Sequence, residues 1–231
     1  MPVDHVILRF VNSFSHSSSV FDTMMVTFAQ NQLVKGAVLM LFCWAWFRTG
    51  PRQALHRRIL LAGLASPFAA FVAGRVLTRV LPYRDRPIFD ASLQWQPPHG
   101  ASGAWAHQWT RDWSSFPSDH AALFGALAMM LFLVSRSAGL LTLLYSLALV
   151  DFPRVYLGLH YPSDILGGVI VGFAVAWIAT LAPIREAVSA WPLRFLERSP
   201  GTFYACLFLA LFTLGSIDAV FGLVLLMRAI I

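Results

Sequence analysis

Residues able to hold and attack an anion fall in three short stretches of an otherwise apolar chain. The first, Arg79-Val-Leu-Pro-Tyr-Arg-Asp-Arg86-Pro87, sets two arginines seven apart around a helix end, within reach of a single anion. Arginine presents a planar fork that donates bidentately to phosphate oxygens and keeps its charge. Taken alone, a basic helix end beside lipid head groups accounts for this stretch equally well. The second, Phe116-Pro117-Ser118-Asp119-His120, leads into an apolar run with Ser118 placed as an N-cap. The free amides of Asp119, His120 and Ala121 would then point out of the helix start, where unpaired N–H groups and the helix dipole favour negative oxygens. The plainer alternative is an ordinary cap with a histidine at the membrane edge. The third, Arg154-Val-Tyr-Leu-Gly-Leu-His160-Tyr-Pro-Ser-Asp164, places His160 four residues before Asp164, at a helix start marked by Pro162. A carboxylate there can accept a hydrogen bond from one imidazole nitrogen and leave the other as a nucleophile. A structural His–Asp pair is the alternative.

The elements that must position these groups are membrane helices. The chain has 231 residues, 58% hydrophobic and only 12% charged, outside the balance of soluble domains. Ile59 to Leu77, Ile165 to Pro183 and Phe203 to Met227 each approach or exceed the roughly 20 apolar residues needed to cross hydrocarbon. Leu33 to Phe47 is short unless Val20 to Ala29 leads into it. Ala121 to Val134 and Ala138 to Val150 lengthen if Ser118 starts one and Tyr156 ends the other, with their polar ends in a protein-lined cavity. The expectation is an all-α, polytopic bundle of about six transmembrane helices forming one domain over residues 1–231. Val3, Val6, Ile7, Phe10, Val11 and Phe14 share one helical face, with Asp4, Arg9 and Asn12 largely opposite, so residues 1–19 read as an N-terminal interfacial segment. This segment lacks the basic start and short apolar core of a cleavable signal peptide. Cys43 and Cys206 fall inside apolar runs and read as small buried thiols.

The net charge of +6 rests on 17 cations, sixteen of them arginine, which suits an anionic partner. With six helices, the connections after the second and fourth spans lie on one side of the bilayer, where the polar clusters can meet. Arg48, Arg52, Arg57, Arg58, Arg136, Arg185, Arg194 and Arg198 fall on the other side, which the positive-inside rule makes cytoplasmic. The longest connection, Pro82 to Pro117, is a Trp- and Pro-rich loop on the side of the clusters, holding Trp95, Trp105, Trp109 and Trp113. It reads either as an aromatic belt or as a rim that admits a lipid head group.

Taken together, Arg79-x6-Arg86-Pro87, Pro117-Ser118-Asp119-His120 and Arg154-x5-His160-x3-Asp164 resemble the three-part signature of the type-2 phosphatidic acid phosphatase family. The resemblance implies that His160 attacks phosphorus, that Asp164 orients it, and that His120 protonates the leaving oxygen and then activates water. It also implies that Arg79, Arg86 and Arg154 hold the phosphoryl oxygens, with Ser118 and the first amides of the following helix assisting. Arg79 stands where the family usually has lysine, Pro153 where it has serine, and Asp119 where it has glycine. That aspartate is similar to the undecaprenyl-diphosphate phosphatase branch, where it would raise the pKa of His120 or bind a polar part of the substrate, which puts it among the phosphate-site residues; a first-turn acid complementing the helix dipole is the alternative. Phosphoryl transfer asks for positioning and for stabilised equatorial charge, which arginines and amides supply. The sequence shows neither an acidic cluster for a magnesium pair nor a Cys/His cluster for zinc, so no metal and no cofactor is expected. The expected partners are a lipid phosphate and the bilayer, not nucleic acid. The substrate expected first is undecaprenyl diphosphate, with phosphatidate, phosphatidylglycerophosphate or lipid A as alternatives, at a bacterial membrane with the site facing outward. A lipid transporter would explain charge within the membrane but not the ordered His, Asp and Arg spacings.

Overall fold

The computed structural model describes residues 2–101 and 113–216, and every regular element among them is helical. They run as α1 (Pro2–Asn12), α2 (Ser19–Gln30), α3 (Gln32–Gly36), α4 (Leu39–Phe47), α5 (Gln53–Leu64) and α6 (Ser66–Val80). After two 3-10 turns, Pro87–Phe89 and Ala91–Leu93, come α7 (Asp119–Val134) and α8 (Arg136–Ser146). A π turn at Leu147–Asp151 joins α8 to α9 (Phe152–Tyr156), and α10 (Pro162–Ala179), α11 (Ala182–Arg198) and α12 (Pro200–Gly215) follow. The protein is a helical membrane bundle.

Among the described residues, three stretches are long and apolar enough to span hydrocarbon: Gln53–Val80, Arg136–Tyr156 and Pro162–Ala179. The first expected span is broken instead of straight: α2 and the α3–α4 stretch qualify only as a pair bent by 60°. Asn31 makes the break, since its side chain accepts from Leu33 N at 2.8 Å and caps a new helix. Helices α7 and α12 are apolar but shorter. The expected span from Phe203 to Met227 is seen only as far as Gly215, because its remainder, with Asp218, lies outside the described residues. Helix α11 has no counterpart in the sequence expectation. It is charge-rich, starts with Pro183 in its first turn where the preceding span stops, and ties back to α5 through an Arg58–Glu186 ion pair. Cys43 and Cys206 are exposed on the outside of the bundle, not buried as expected.

Helix α7 is the hub, with eleven of its sixteen residues buried. Leu123, Phe124, Leu127, Met130 and Leu131 pack with Phe42, Trp46 and Leu60 in the main core. Its other face meets α10 at very close range. A Cβ on Gly168 would collide with the Ser118 carbonyl, and one on Gly172 with the Ala122 carbonyl. Small residues let helix backbones touch where lipid supplies no hydrophobic drive. This contact carries the Ser118–His120 stretch to the start of α10, where Ser118 N donates to the Asp164 carbonyl at 3.1 Å.

Helix α1 docks through a mixed face that includes Val11, which the helical pattern of the sequence groups with the apolar stripe. Asp4, Leu8 and Val11 are buried, while Val3, Val6, Ile7 and Phe10 remain exposed as an apolar stripe. Arg9 donates to the Ser92 carbonyl at 3.1 Å, and Asn12 exchanges two hydrogen bonds with the backbone of Gln96.

Candidate active site

Three connections converge at one end of the bundle: the segment after α6, the segment before α7, and the turn between α9 and α10. They are tied by backbone bonds from Ser115 N to the Arg84 carbonyl at 2.8 Å and from Ile88 N to the Gly158 carbonyl at 3.0 Å. Gly158 turns the chain toward His160 with φ of 68°, and a Cβ there would also strike Ile88 and Trp95.

His160 is buried, with its two nitrogens in different surroundings. Nδ1 lies 2.9 Å from the Ser115 carbonyl, an acceptor only, so Nδ1 carries the proton. Nε2 is then the lone-pair nitrogen, and Arg86 Nη1 approaches it at 3.4 Å while donating to the Leu159 carbonyl at 2.9 Å. Burial pushes the His160 imidazole down to about 4, so the ring is neutral at physiological pH.

Asp164 stands 3.6 Å from His160 Nδ1, too far for the direct hydrogen bond that the four-residue spacing suggested. The Ser115 carbonyl takes that place because Asp164 is engaged elsewhere. Its Oδ2 accepts from Tyr161 N at 2.8 Å, capping α10, and from the Ser115 hydroxyl, while Oδ1 accepts from Arg84 Nη1 at 2.6 Å. The carboxylate therefore acts on His160 as a nearby negative charge and through Ser115.

Sequence reasoning passed over Arg84 and Asp4. Arg84 lies over the Tyr161 ring at 3.8 Å and joins Asp164 to Asp4, whose Oδ2 accepts from Nη2 at 2.8 Å. Asp4 also accepts from the backbone and hydroxyl of Ser163, at 3.0 and 2.7 Å. Although burial opposes ionisation, bonds from Ser163 and Arg84 hold the Asp4 carboxyl below the usual carboxylate range. One signal was available for Asp4, a carboxylate in a largely apolar segment of a membrane protein, which marks it for a partner; Arg84, beside Asp85 and Arg86, carried none of its own.

The remaining sequence candidates are placed as follows. Ser118 caps α7, its side chain accepting from Ala121 N. His120 sits in the first turn of that helix, half-buried. Arg154 is buried and donates to the carbonyls of Val150 and Ala29. Asp119 is held by Arg75, whose Nε donates to Oδ1 at 3.0 Å and whose terminal nitrogen pairs with Oδ2; the guanidinium lies 4.1 Å over the Trp113 ring. Arg79 is exposed at the last turn of α6. Trp105 and Trp109 lie outside the described residues.

A neutral, oriented histidine beside arginines in a helical membrane bundle is an arrangement suited to a phosphoryl group. A model of the PAP2 superfamily matches residues 60–186, more than half of the chain, and the protein belongs to that superfamily. Among curated proteins, the chain is 27% identical to undecaprenyl-diphosphatase BcrC of Bacillus subtilis over 76% of its own length and 82% of that protein's. It is 24% identical to the putative undecaprenyl-diphosphatase YbjG of Escherichia coli over 78% and 86%. A shorter match, 39% over 27% and 28%, is to lipid A 4'-phosphatase of Bacteroides thetaiotaomicron. No solved structure matches the chain with significance.

Proposed function

We propose that the protein removes the terminal phosphate of undecaprenyl diphosphate through a phosphohistidine formed on His160. The observation that carries this reading is the division of labour on the His160 ring, with Nδ1 fixed on Ser115 and Nε2 turned to Arg86. In the first step Nε2 attacks the terminal phosphorus, the P–O bond to the leaving phosphate breaks, and His120 gives its proton to that oxygen. In the second, His120 takes a proton from water as the water oxygen attacks phosphorus, and inorganic phosphate leaves His160. Arg86, Arg154 and Arg79 steady the equatorial oxygens, with the Ser118-capped amides of α7 assisting. Asp119, joined to Arg75, meets the polar part of the substrate at the pocket edge. The site faces outward, away from the Arg-rich end that holds Arg58 and Arg185.

The choice of lipid rests on the two undecaprenyl-diphosphatase relatives, which match over three quarters of the chain, whereas the lipid A phosphatase matches over about one quarter. Phosphate release from undecaprenyl diphosphate, phosphatidate, phosphatidylglycerophosphate and lipid A, with EDTA present, tests the reading. Turnover is expected on the diphosphate, with 32P from its terminal phosphate trapped on wild-type protein but not on His160→Ala. Equal turnover by His160→Ala, or activity only with added metal, overturns it.

A further inference from the structure

Away from His160, three segments far apart in sequence bring metal-capable side chains together. His16 lies in the turn after α1, Asp22 in the first turn of α2, and His99 in the Pro97-Pro98-His99-Gly100 loop. One ligand atom from each lies within 4.8 Å of the other two. His16 Nδ1 is 2.9 Å from His99 Nδ1, which is 3.0 Å from Asp22 Oδ2. Atoms bound to a tetrahedral zinc ion at about 2.0–2.1 Å stand roughly 3.3 Å apart, so two of the three edges are already near the required length.

We infer that His16, Asp22 and His99 form a binding site for a zinc-class divalent cation that clips the start of α2 to the loop beside the active site. Without a cation, His99 donates from Nδ1 to Asp22 and offers Nε2, 3.2 Å from His16 Nδ1, as an acceptor. A cation at the centre would displace those protons and take a lone pair from each of the three side chains.

The surroundings suit that role. Asp22 is fully buried, and its other oxygen accepts from the Tyr156 hydroxyl, the kind of outer partner that fixes a ligating carboxylate. The backbone amides of His16 and His99 both donate to Asp22, at 3.2 and 2.9 Å, which draws the two segments onto one carboxylate. His16 holds a left-handed φ of 67°, uncommon for a residue with a side chain, and its ring meets that of His99 at a centroid distance of 4.1 Å. Both histidines are exposed, so an ion can enter from water. Two imidazoles with one carboxylate favour zinc and its neighbours over magnesium or calcium, which prefer oxygen alone. The fourth position is left for water. Sequence reading finds no such cluster because His16 and His99 are 83 residues apart.

The test uses tag-free full-length protein in nanodiscs, stripped with EDTA, desalted and titrated with zinc chloride by calorimetry, with cobalt(II) absorption as the coordination signature. Wild type and His160→Ala are expected to bind one zinc per chain and to gain in Tm. His16→Ala and His99→Ala alter exposed side chains and should fold normally, yet lose at least roughly 10- to 100-fold in affinity, the range seen when an outer partner alone is removed. They should also lose the tetrahedral cobalt spectrum. Absence of stoichiometric zinc in wild type, or equal affinity in the double variant, overturns the site. Loss of zinc in His160→Ala but not in His16→Ala would place the ion in the catalytic pocket and also overturns it.

Discussion

A histidine can be a nucleophile only while it is uncharged, and at His160 burial outweighs the pull of Asp164. The ring is neutral above about pH 4, so the acidic limb of kcat/KM is expected near 4, not near the 6.5 of an unperturbed histidine. A pH–rate profile checks this, and a limb at 6.5 assigned to His160 by its loss in a variant would contradict it. The same shift links to stability. Between pH 6.5 and 4 the unfolded chain binds a proton at His160 that the folded chain does not, so its contribution is complete above 6.5 and is lost as pH falls to 4. Under single-turnover conditions His160→Ala is expected to cost about 1000-fold or more, and His120→Ala about 100- to 10,000-fold. The proximity of His160, Asp164 and Arg86 was legible in the sequence because each stands in a short stretch of locally specific spacing. Ser115 was not, because it serves through its backbone carbonyl, which every residue possesses. Asp119 was legible as an oddity, but its partner Arg75 was not, since a pairing 44 residues apart leaves no local pattern.

At the scale of elements, two contacts decide whether those residues meet. The first is the α7–α10 crossing, where Gly172 allows backbone contact. Gly172→Leu is expected to force the helices apart, lower stability by about 1–3 kcal/mol and reduce phosphate release, as followed by thermal melting in detergent and by turnover. The second is the seat of α1 on the pocket through Asp4. Asp4→Asn keeps the shape but removes the charge facing Arg84, and is expected to lower kcat on the order of 10- to 100-fold with little change in KM, because Arg84 and Asp164 shift while the phosphate ligands stay. A rise in KM alone would mean that Asp4 contributes to binding only. Apolar runs exposed the spans Gln53–Val80 and Pro162–Ala179 in the sequence. They concealed the 60° bend at Asn31 and the separate helix α11, because a bend depends on one cap and α11 mixes charged residues, among them Glu186 paired with Arg58, with the apolar Leu193, Phe195 and Leu196 that pack on the core, so it forms no continuous apolar run.

At the scale of the molecule, the reactive end and the Arg-rich end are opposite, which gives the bundle a sidedness that labelling can read. With Cys43 and Cys206 replaced by serine, a cysteine at Ser13 should react with an impermeant maleimide in intact cells, and one at Arg194 only after lysis. The reverse pattern would invert the topology. The outward stripe of Val3, Val6, Ile7 and Phe10 shares a helix with Asp4, and we propose that this stripe rests in the lipid interface while the opposite side holds the Arg84 pair. On that proposal the surrounding solvent helps to hold the Arg84–Asp164 alignment. A water-soluble diphosphate, which needs no bilayer to be delivered, should still turn over faster in nanodiscs than in short-chain micelles, because the medium props the enzyme as well as presenting its substrate.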